Sequence, residues 1–407
     1  MNKFIVNYEI YCENFFTFRQ TCDTIYMIKL KVLRVCNIMK IIVLSSFTTS
    51  LFWFRIDMMK SFLDAGYDVL AVGEGDESEW CDKFAELGIR YRSIPVKRNG
   101  TNPLADIKTL LALKKLLAEE KPDKIFSYQA KTVIYGGIAA RMCGISEVYP
   151  LIAGVGSVFL GSGLKNKIVR SILVAEYKLG LKRAPKVFFQ NKDDLAVFAS
   201  NGIISEENTV LLNGSGVNIS KFVPSPIPEK VSFLCISRLI RDKGVVEYLD
   251  AAREIHKRHP EIKCVLVGPF DTNPSAIKPD ELQTYIDDGS IEYVGEQKDV
   301  QPYIHNCTAF VLPSYHEGTP KTVLESMACG RPAITTDAPG CRETVTDGVN
   351  GYLVPIKDSD AIVEAMEKII SNPEKTSQMA ISARKIAEDK YDVNKINKKI
   401  KDTMKME

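Results

Sequence analysis

Two short segments of the sequence combine charged residues with glycine, and each directly follows a predicted strand. In the first, Arg238 comes just after the strand Val231–Ile236, and Lys243 and Gly244 come just before the predicted helix Val245–His256. Both cations can therefore face one point near a helix N-terminus, where backbone N–H groups and the helix dipole favour anions. Arginine adds a bidentate fork and lysine a point charge, so the segment predicts a diphosphate site. Two solvated loop cations are the alternative.

The second segment follows the predicted strand Ala309–Leu312 and holds two carboxylates, Glu317 and Glu325, with seven residues between them. Thr319 is predicted to cap a helix that begins at Pro320, which leaves Glu317 in the loop and Glu325 inside the helix. One carboxylate can then reach a sugar, while the other can accept hydrogen bonds from a ribose diol. A solvated Glu325 is the alternative, but its apolar neighbours predict a buried helix, where an unpaired carboxylate is costly.

The elements that must position these segments alternate along the chain from Met39 onward. Short β-branched or aliphatic runs alternate with longer runs of helical period, which is typical of parallel sheets with helices on both faces. The predicted strands are Ile41–Ser45, Asp68–Val72, Lys124–Ser127, Val148–Ile152, Lys186–Gln190, Thr209–Leu212, Val231–Ile236, Lys263–Val267, Ile291–Val294, Ala309–Leu312 and Pro332–Thr335. Open sheets of this kind bind ligands at the carboxyl ends of their strands, which is where both charged segments lie.

A proline-rich stretch, Pro224–Pro228, separates the first six predicted strands from the last five and marks a domain boundary. We therefore predict an α/β fold with two tandem doubly wound, Rossmann-like domains facing a cleft, at residues 39–223 and 229–390. A last helix, within residues 391–407, lies where it can pack back on the first domain. Residues 1–38 contain no Gly, Ala or Pro and lack the apolar core of a signal peptide, so we predict a non-native or disordered extension, with Met39 as the natural start, and expect its deletion to leave folding and activity intact. A genuine extension that packs on the rest of the protein is the alternative.

Composition narrows the class of protein further. The net charge of +2 gives no global field that would attract nucleic acid. None of the ten cysteines forms a C-x-x-C pair or a cysteine and histidine cluster at metal-ligand spacing, which disfavours a zinc site and favours a reducing compartment. The longest uncharged stretch, Val148–Leu164, is broken by proline and glycine and is too short to span a membrane. These features favour a folded cytoplasmic protein.

Taken together, the motifs resemble those of the retaining glycosyltransferases of family 4, which have the GT-B fold. The resemblance covers Met39 to about Tyr391 and rests on Arg238 with Lys243, the Glu-x7-Glu motif from Glu317 to Glu325, Ala328–Pro332, Pro339–Glu343 and Asp347–Gly351. Within the family, the nearest likeness is to the capsule and lipid-linked oligosaccharide enzymes that transfer N-acetylhexosamine. That likeness rests on Asn102–Leu104, Gly154–Phe159, Phe189–Asn191 and Gly214–Asn218.

The resemblance implies a UDP-sugar donor, with Arg238 and Lys243 holding its diphosphate, Glu317 near the reacting carbon of the sugar and Glu325 on the ribose. The remaining donor contacts that it implies come from the helix start, at Gly318, Thr319 and Pro320. The two cations would stabilise charge on the leaving diphosphate, so no metal is required. The Asp-x-Asp that metal-dependent sugar transferases of another fold use occurs here only at Asp358 and Asp360, where it is predicted to start a helix. The implied acceptor is a polyprenyl-diphosphate-linked saccharide in capsule, O-antigen or exopolysaccharide synthesis, glycosylated with retention of configuration.

One position departs from the family. Many relatives have a histidine before the glycine loop of the first domain, where this sequence has Ala153. The loop Gly154–Phe159 is still predicted to line the acceptor side of the cleft, because Gly154 and Gly156 permit close approach of a ligand to the backbone. Loop flexibility alone is the alternative.

A basic amphipathic stretch, Leu164–Pro185, follows this acceptor-side loop. Lysines and arginines interleaved with aliphatic residues can dock reversibly on an anionic lipid surface without spanning it. The stretch therefore predicts peripheral association with the inner face of a bacterial cell membrane. Packing of its apolar side on the sheet, with solvated lysines, is the alternative.

Three other classes of function share parts of this pattern. A nicotinamide dehydrogenase is excluded because the segment after the first strand, Ser45–Ser50, has no glycine. A sugar-nucleotide 2-epimerase of similar build would need no second sugar for turnover. A non-catalytic sugar-nucleotide-binding subunit would bind UDP without transfer, and the complete set of four charged residues argues against it.

Overall fold

Seven parallel strands form the first sheet of the structure, a computed structural model that describes residues 38–97, 102–160 and 163–406. In chain order, these strands are β1 Lys40–Leu44, β2 Asp68–Gly73, β3 Arg90–Ser93, β4 Lys124–Tyr128, β5 Val148–Ile152, β6 Val187–Phe189 and β7 Thr209–Leu211. Across the sheet their order is β3-β2-β1-β4-β5-β6-β7, so the strand order reverses between β1 and β4. Such a switch point opens a crevice at the carboxyl ends of the strands.

Helices cover both faces of the first sheet, and their starts follow local capping rules. They are α1 Thr48–Phe54, α2 Ile56–Asp64, α3 Glu77–Ala85, α4 Pro103–Glu120, α5 Ala130–Met142, α6 Ser157–Leu160, α7 Leu164–Leu181 and α8 Lys192–Ser200. Asn102 caps α4 through its side chain and Pro103 occupies the first turn, while Asp76 caps α3. The inner strands β1, β2 and β5 are buried on both sides, which is why each is a nearly continuous apolar run.

The second sheet has six parallel strands in the order β10-β9-β8-β11-β12-β13. Its strands are β8 Ser232–Ile236, β9 Lys263–Val267, β10 Glu292–Tyr293, β11 Ala309–Leu312, β12 Ala333–Thr336 and β13 Gly351–Val354. Its helices are α9 Val245–Arg258, α10 Pro279–Asp287, α11 Gln301–His305, α12 Lys321–Ala328, α13 Ser359–Ser371 and α14 Pro373–Tyr391. The predicted fold class, two tandem doubly wound α/β domains, is confirmed.

The last helix, α15 Val393–Thr403, packs on the first domain. Its Ile396 and Ile400 are buried in the same apolar cluster as Met59 and Phe62 of α2. A two-way exchange of backbone hydrogen bonds fixes the crossing point, from Val217 N to Tyr391 O and from Val393 N to Val217 O. The chain therefore connects the two domains twice.

A buried arginine holds the first of these connections in place. Arg331 is 0% exposed and donates to the carbonyl oxygens of Ser225 and Pro226, which lie in the proline-rich linker, at 2.8 and 2.9 Å. It also donates to the carbonyl oxygens of Ile304 and His305 at 3.0 and 2.8 Å. The linker is therefore tied to the core of the second domain by one guanidinium.

The structure adds three features that the sequence pattern did not predict. β3 and β13 are edge strands, one rich in arginine and one beginning with glycine, so neither has the aliphatic signature of a buried strand. The first helical region, predicted from its sequence period at Phe54–Ala65, begins at Thr48 and is broken at Arg55 into α1 and α2. The predicted extension, residues 1–38, lies outside the described residues except for Ile38. No helix in the described ranges is long and apolar enough to cross a membrane.

Candidate active site

The two charged segments of the second domain meet at the carboxyl ends of β8 and β11. Tyr315 N and Ser314 Oγ both donate to the carbonyl oxygen of Asp242, at 3.0 and 3.2 Å. Gly244 has a φ of +69°, and a Cβ at this position would lie 2.0 Å from the carbonyl oxygen of Pro313. Glycine is therefore required both for the backbone conformation and for the close approach of the two loops.

This approach brings Lys243 and Glu317 together as an ion pair. Lys243 Nζ donates to Glu317 Oε1, and both side chains are largely buried, at 19% and 15% exposure. The backbone of Glu317 is fixed separately, because its N–H donates to the carbonyl oxygen of Pro339 at 2.9 Å. Gly340 allows this contact, since a Cβ there would lie 2.1 Å from the carbonyl oxygen of Glu317. The sequence motif at Pro339–Glu343 thus supports the loop that carries Glu317.

The other predicted cation has its own partner. Arg238, two residues beyond β8, donates to Asp271 Oδ2 at 2.7 Å, and its side chain remains 40% exposed. Asp271 lies in the loop after β9, at the same edge of the sheet. Each predicted phosphate-binding cation therefore lies beside a carboxylate, and a diphosphate entering the cleft would compete with that carboxylate for the cation.

Glu325 is buried inside α12. It is 8% exposed, and this burial raises its pKa to about 7, against the opposing charges of Lys321 and Lys221. A buried carboxylate without hydrogen bonds is costly, and its cost falls when a ligand hydroxyl donates to it. The arrangement suits a diol.

The loop before α12, His316–Thr319, which we name the donor loop after its predicted role, lies directly against the first domain. A Cβ on Gly318 would lie 2.3 Å from the carbonyl oxygen of Ala153 and 2.4 Å from the side chain of Gln190. Thr319 Oγ1 donates to the carbonyl oxygen of Gln190 at 3.3 Å. The prediction that Thr319 caps the helix is wrong: Pro320 occupies the cap position, and the Thr319 hydroxyl instead lies 2.9 Å from the carbonyl oxygen of Gly318 and, across the interface, near that of Gln190.

Sequence reasoning missed three further side chains at this interface. Asn191 Nδ2 donates to the carbonyl oxygens of Glu317 and Gly318, at 3.1 and 3.0 Å, and His316 Nε2 lies 2.9 Å from Asp194 Oδ1. Asn191 belongs to a motif that the resemblance used, and it follows β6 at the carboxyl edge of the sheet, so the strand-end rule could have singled it out. Its partner loop could not be inferred, because it lies in another domain.

The predicted acceptor-side loop lies on the first domain, beside the donor loop. Gly154 and Gly156 have φ values of +149° and +79°, which L side chains rarely adopt. A Cβ at either position would meet no described atom within 4 Å. Glycine is therefore favoured at both positions by the backbone conformation and not by a close contact. The space beside the two glycines is open among the described residues.

Two family models match this chain, one for each domain. The model described as "Glycosyl transferases group 1" matches residues 218–386, which include both charged segments. The model described as "Glycosyl transferase 4-like" matches residues 40–191.

Curated relatives align along most of the chain. The N,N'-diacetylbacillosaminyl-diphospho-undecaprenol alpha-1,3-N-acetylgalactosaminyltransferase of Campylobacter jejuni is 29% identical over 370 residues, which cover 88% of this chain and 96% of the relative. The UDP-Gal:alpha-D-GlcNAc-diphosphoundecaprenol alpha-1,3-galactosyltransferase of Escherichia coli is 24% identical, covering 70% and 76%.

Solved structures share the fold at lower identity. Anabaena HepE in complex with UDP and glucose superposes with a TM-score of 0.72 at 20% identity, covering 90% of this chain and 99% of that one. A sucrose-phosphate synthase from Thermosynechococcus elongatus superposes with a TM-score of 0.76 at 18% identity, covering 90% and 98%. These likenesses establish the two-domain architecture.

Proposed function

The chain belongs to the family 4 glycosyltransferases of GT-B fold, and we propose that it transfers an N-acetylhexosamine from a UDP-sugar to a polyprenyl-diphosphate-linked saccharide, with retention of configuration. The observation that carries the proposal is the geometry of the second domain, where Lys243, from the loop after β8, pairs with Glu317 in the loop that leads into the helix of the buried Glu325. The relatives from Campylobacter jejuni and Escherichia coli, whose names specify diphosphoundecaprenol-linked sugars, support the acceptor class. Capsule, O-antigen or exopolysaccharide synthesis is the proposed setting.

In this proposal the ion pair of Lys243 and Glu317 opens when the donor binds. The diphosphate takes the ammonium of Lys243, and the freed Glu317 carboxylate accepts hydrogen bonds from sugar hydroxyls near the reacting carbon. Arg238 turns from Asp271 to the same diphosphate. Because both cations contact the diphosphate once the donor is bound, they stabilise the charge that develops on the leaving group without further reorganisation. The chemistry proposed here uses side chains alone and requires no metal.

A donor screen tests the proposal most directly. Purified protein is incubated with individual UDP-sugars and an undecaprenyl-diphosphate-linked monosaccharide, and the lipid product is identified by its mass. An increase by one N-acetylhexosamine is expected. Turnover of the UDP-sugar into its 2-epimer without a second sugar would instead support the epimerase alternative, which the named transferase activities of the relatives disfavour.

We propose that the open space beside Gly154 and Gly156 receives the acceptor sugar, and that the outer face of the same domain docks on the membrane. In α7, Tyr177 and Leu181 are buried against the core, whereas Ile168 and Ile172 are each 57% exposed. The structure therefore assigns the apolar residues of this basic helix to two sides, and only one of them packs on the domain.

A second helix adds to this outer face. Both α4 and α7 pack against α5, and α4 exposes Leu104, Ile107 and Leu111, which recur along one side of the helix. Both helices also carry exposed lysines, at Lys108, Lys114, Lys115, Lys167 and Lys178. Apolar side chains within a basic surface are typical of proteins that lie on anionic lipid.

Liposome sedimentation provides the measurement for this surface. The protein is expected to sediment with phosphatidylglycerol vesicles at low salt and to be released as salt screens the lysines, each of which contributes about 1 kcal/mol near an anionic surface. Ile168→Ser with Ile172→Ser should weaken sedimentation, whereas Ile381→Ser, at a still more exposed isoleucine of the second domain, should not. Absence of vesicle binding at every salt concentration, with equal rates on lipid-linked and free sugar acceptors, would contradict docking.

The pKa of Glu325 gives a pH dependence for nucleotide binding. Because the pKa lies at about 7, the carboxylate that accepts the ribose hydroxyls is protonated below this pH and ionised above it. Affinity for uridine, which has the ribose but no titrating phosphate, is expected to rise as pH increases through about 7. Calorimetric titration should show this rise in the wild type and a flat profile in Glu325→Gln. A pH profile that is unchanged by the substitution would remove Glu325 from the ribose site.

A further inference from the structure

The first turn of α8 contacts three consecutive residues of the donor loop across the domain interface. Asn191 Nδ2 donates to the carbonyl oxygens of Glu317 and Gly318, at 3.1 and 3.0 Å. Asp194 Oδ1 lies 2.9 Å from His316 Nε2. These contacts join residues more than 120 positions apart in the chain, one set from each domain.

The turn that makes these contacts is itself rigid. Asn191 Oδ1 accepts a hydrogen bond from the N–H of Asp194 at 2.7 Å, which caps α8, and Asn191 Nδ2 also lies 2.9 Å from Asp194 Oδ2. Both side chains are 1% exposed. Since every polar atom of the amide has a partner and water is excluded, the direction of its N–H groups is fixed by the first domain.

As a result, Glu317 is held at both ends by different domains. Its main-chain carbonyl accepts from Asn191 of the first domain, and its carboxylate pairs with Lys243 of the second. Glycine at position 318 makes the approach possible, because any Cβ there would collide with Ala153 and Gln190. Separation of the domains would break the bonds to Asn191 and leave the backbone of Glu317 without its first-domain support.

We propose that Asn191 is a positioning residue through which the first domain sets the backbone of Glu317, so that the donor site reaches its reactive geometry only when the two domains are together. The inference rests on the role of Glu317 in the proposed function. Asp194, held by the same turn, fixes the adjacent His316. A loop placed to within a fraction of an ångström by a partner domain is what positioning of a reacting sugar requires.

Asn191→Ser separates positioning from helix capping. Serine caps a helix about as well as asparagine, but its short hydroxyl cannot donate to the donor loop. We expect kcat, measured as UDP release from UDP-N-acetylgalactosamine, to fall roughly 10-fold to 10²-fold. Affinity for UDP, which lacks the sugar that Glu317 contacts, should change little. The melting temperature should fall by several degrees, because the variant leaves buried acceptors without their donor, so all rates are compared well below the melting temperature of the variant. Asn372→Ser, at an exposed cap of α14, is the matched control and should leave every measurement unchanged.

Two further measurements decide the role. In the Glu317→Gln background, Asn191→Ser should cost much less than in the wild type, because a residue acting through Glu317 has little left to affect. Amide hydrogen exchange in residues 315–319 should be faster in Asn191→Ser than in Asn372→Ser, with no substrate present. Additive losses, or exchange as slow as in the control, would overturn the proposal. If Glu317→Gln itself retains full turnover, the proposed function fails first, whatever the behaviour of Asn191.

Discussion

Replacing Lys243 with alanine is expected to lower kcat/KM by roughly 10²-fold or more, the scale at which an enzyme loses a preorganised electrostatic group. In the proposed reaction, negative charge develops on the leaving diphosphate, and Lys243 lies on the loop where that diphosphate binds. The lysine is only 19% exposed, so water cannot replace it cheaply. Arg238→Ala should have a loss of similar size, since its guanidinium is the second cation at the same edge of the sheet.

Alanine substitutions of the two carboxylates, Glu317 and Glu325, should affect different steady-state parameters. Glu317→Ala is expected to lower kcat most, because its contacts are made near the reacting carbon. Glu325→Ala should chiefly raise KM for the donor and weaken binding of UDP, because ribose contacts are the same in the ground state and the transition state. Initial rates across a range of donor concentrations, with calorimetry of UDP binding, distinguish the two patterns.

Matched controls keep this prediction specific. Lys257→Ala removes an exposed lysine of the same domain and should leave turnover unchanged. Chelation with EDTA should also change the rate little, in keeping with a reaction driven by side-chain cations. Wild-type turnover in both cation variants would refute the donor assignment, and strict dependence on a divalent ion would count against the proposed metal-free chemistry.

Substitution of Arg331 should produce the largest loss of stability. Burial lowers the pKa of its guanidinium. The guanidinium donates to six carbonyl oxygens, from the linker, from α11 and from the turn that precedes Arg331: those of Ser225, Pro226, Ile304, His305, Cys329 and Gly330. In Arg331→Met the shape of the side-chain stem is kept, but these buried acceptors lose their donor. Each unpaired buried carbonyl costs about 1–3 kcal/mol, so we expect the free energy of unfolding of the second domain to fall by about 4 kcal/mol.

Urea unfolding followed by circular dichroism measures this effect. Arg331→Lys should recover only part of the loss, because an ammonium has three donors and lacks the planar fork that reaches the linker and the core together. Arg258→Met, which removes a half-exposed arginine from an ion pair on α9, should change the free energy of unfolding by less than about 0.5 kcal/mol. Equal stability of Arg331→Met and Arg258→Met would show that water can satisfy the carbonyls.

The buried parts of the fold could be predicted from the sequence because both faces of each parallel strand are covered. β5, β9 and β11 have the bounds that their aliphatic runs predict. Edge strands could not be predicted in the same way. One side of β3 is unpaired in the sheet and its side chains are only partly buried, so its composition carries no strand signal.

In the candidate site, too, some properties follow from the local sequence and others depend on tertiary packing. Strand ends and helix starts are local properties, so residue types and spacing were sufficient to single out Arg238, Lys243, Glu317 and Glu325. The ion pairing and the pKa values of these residues could not be predicted in this way. The pairing of Lys243 with Glu317 depends on two loops meeting, and the raised pKa of Glu325 depends on how deeply α12 is buried.

Local patterns were therefore enough to predict the order of most elements, the division into two domains and the candidate site residues, because hydrophobic period, capping and charge act over a few neighbouring positions. The contacts of Asn191 and Asp194 with the donor loop, and of Arg331 with the linker, arise only when distant parts of the chain pack together. Such contacts join residues separated by more than a hundred positions, and nothing in the local pattern at either end specifies the partner. Their energy arises from burial and from hydrogen bonds completed only when the two domains pack together.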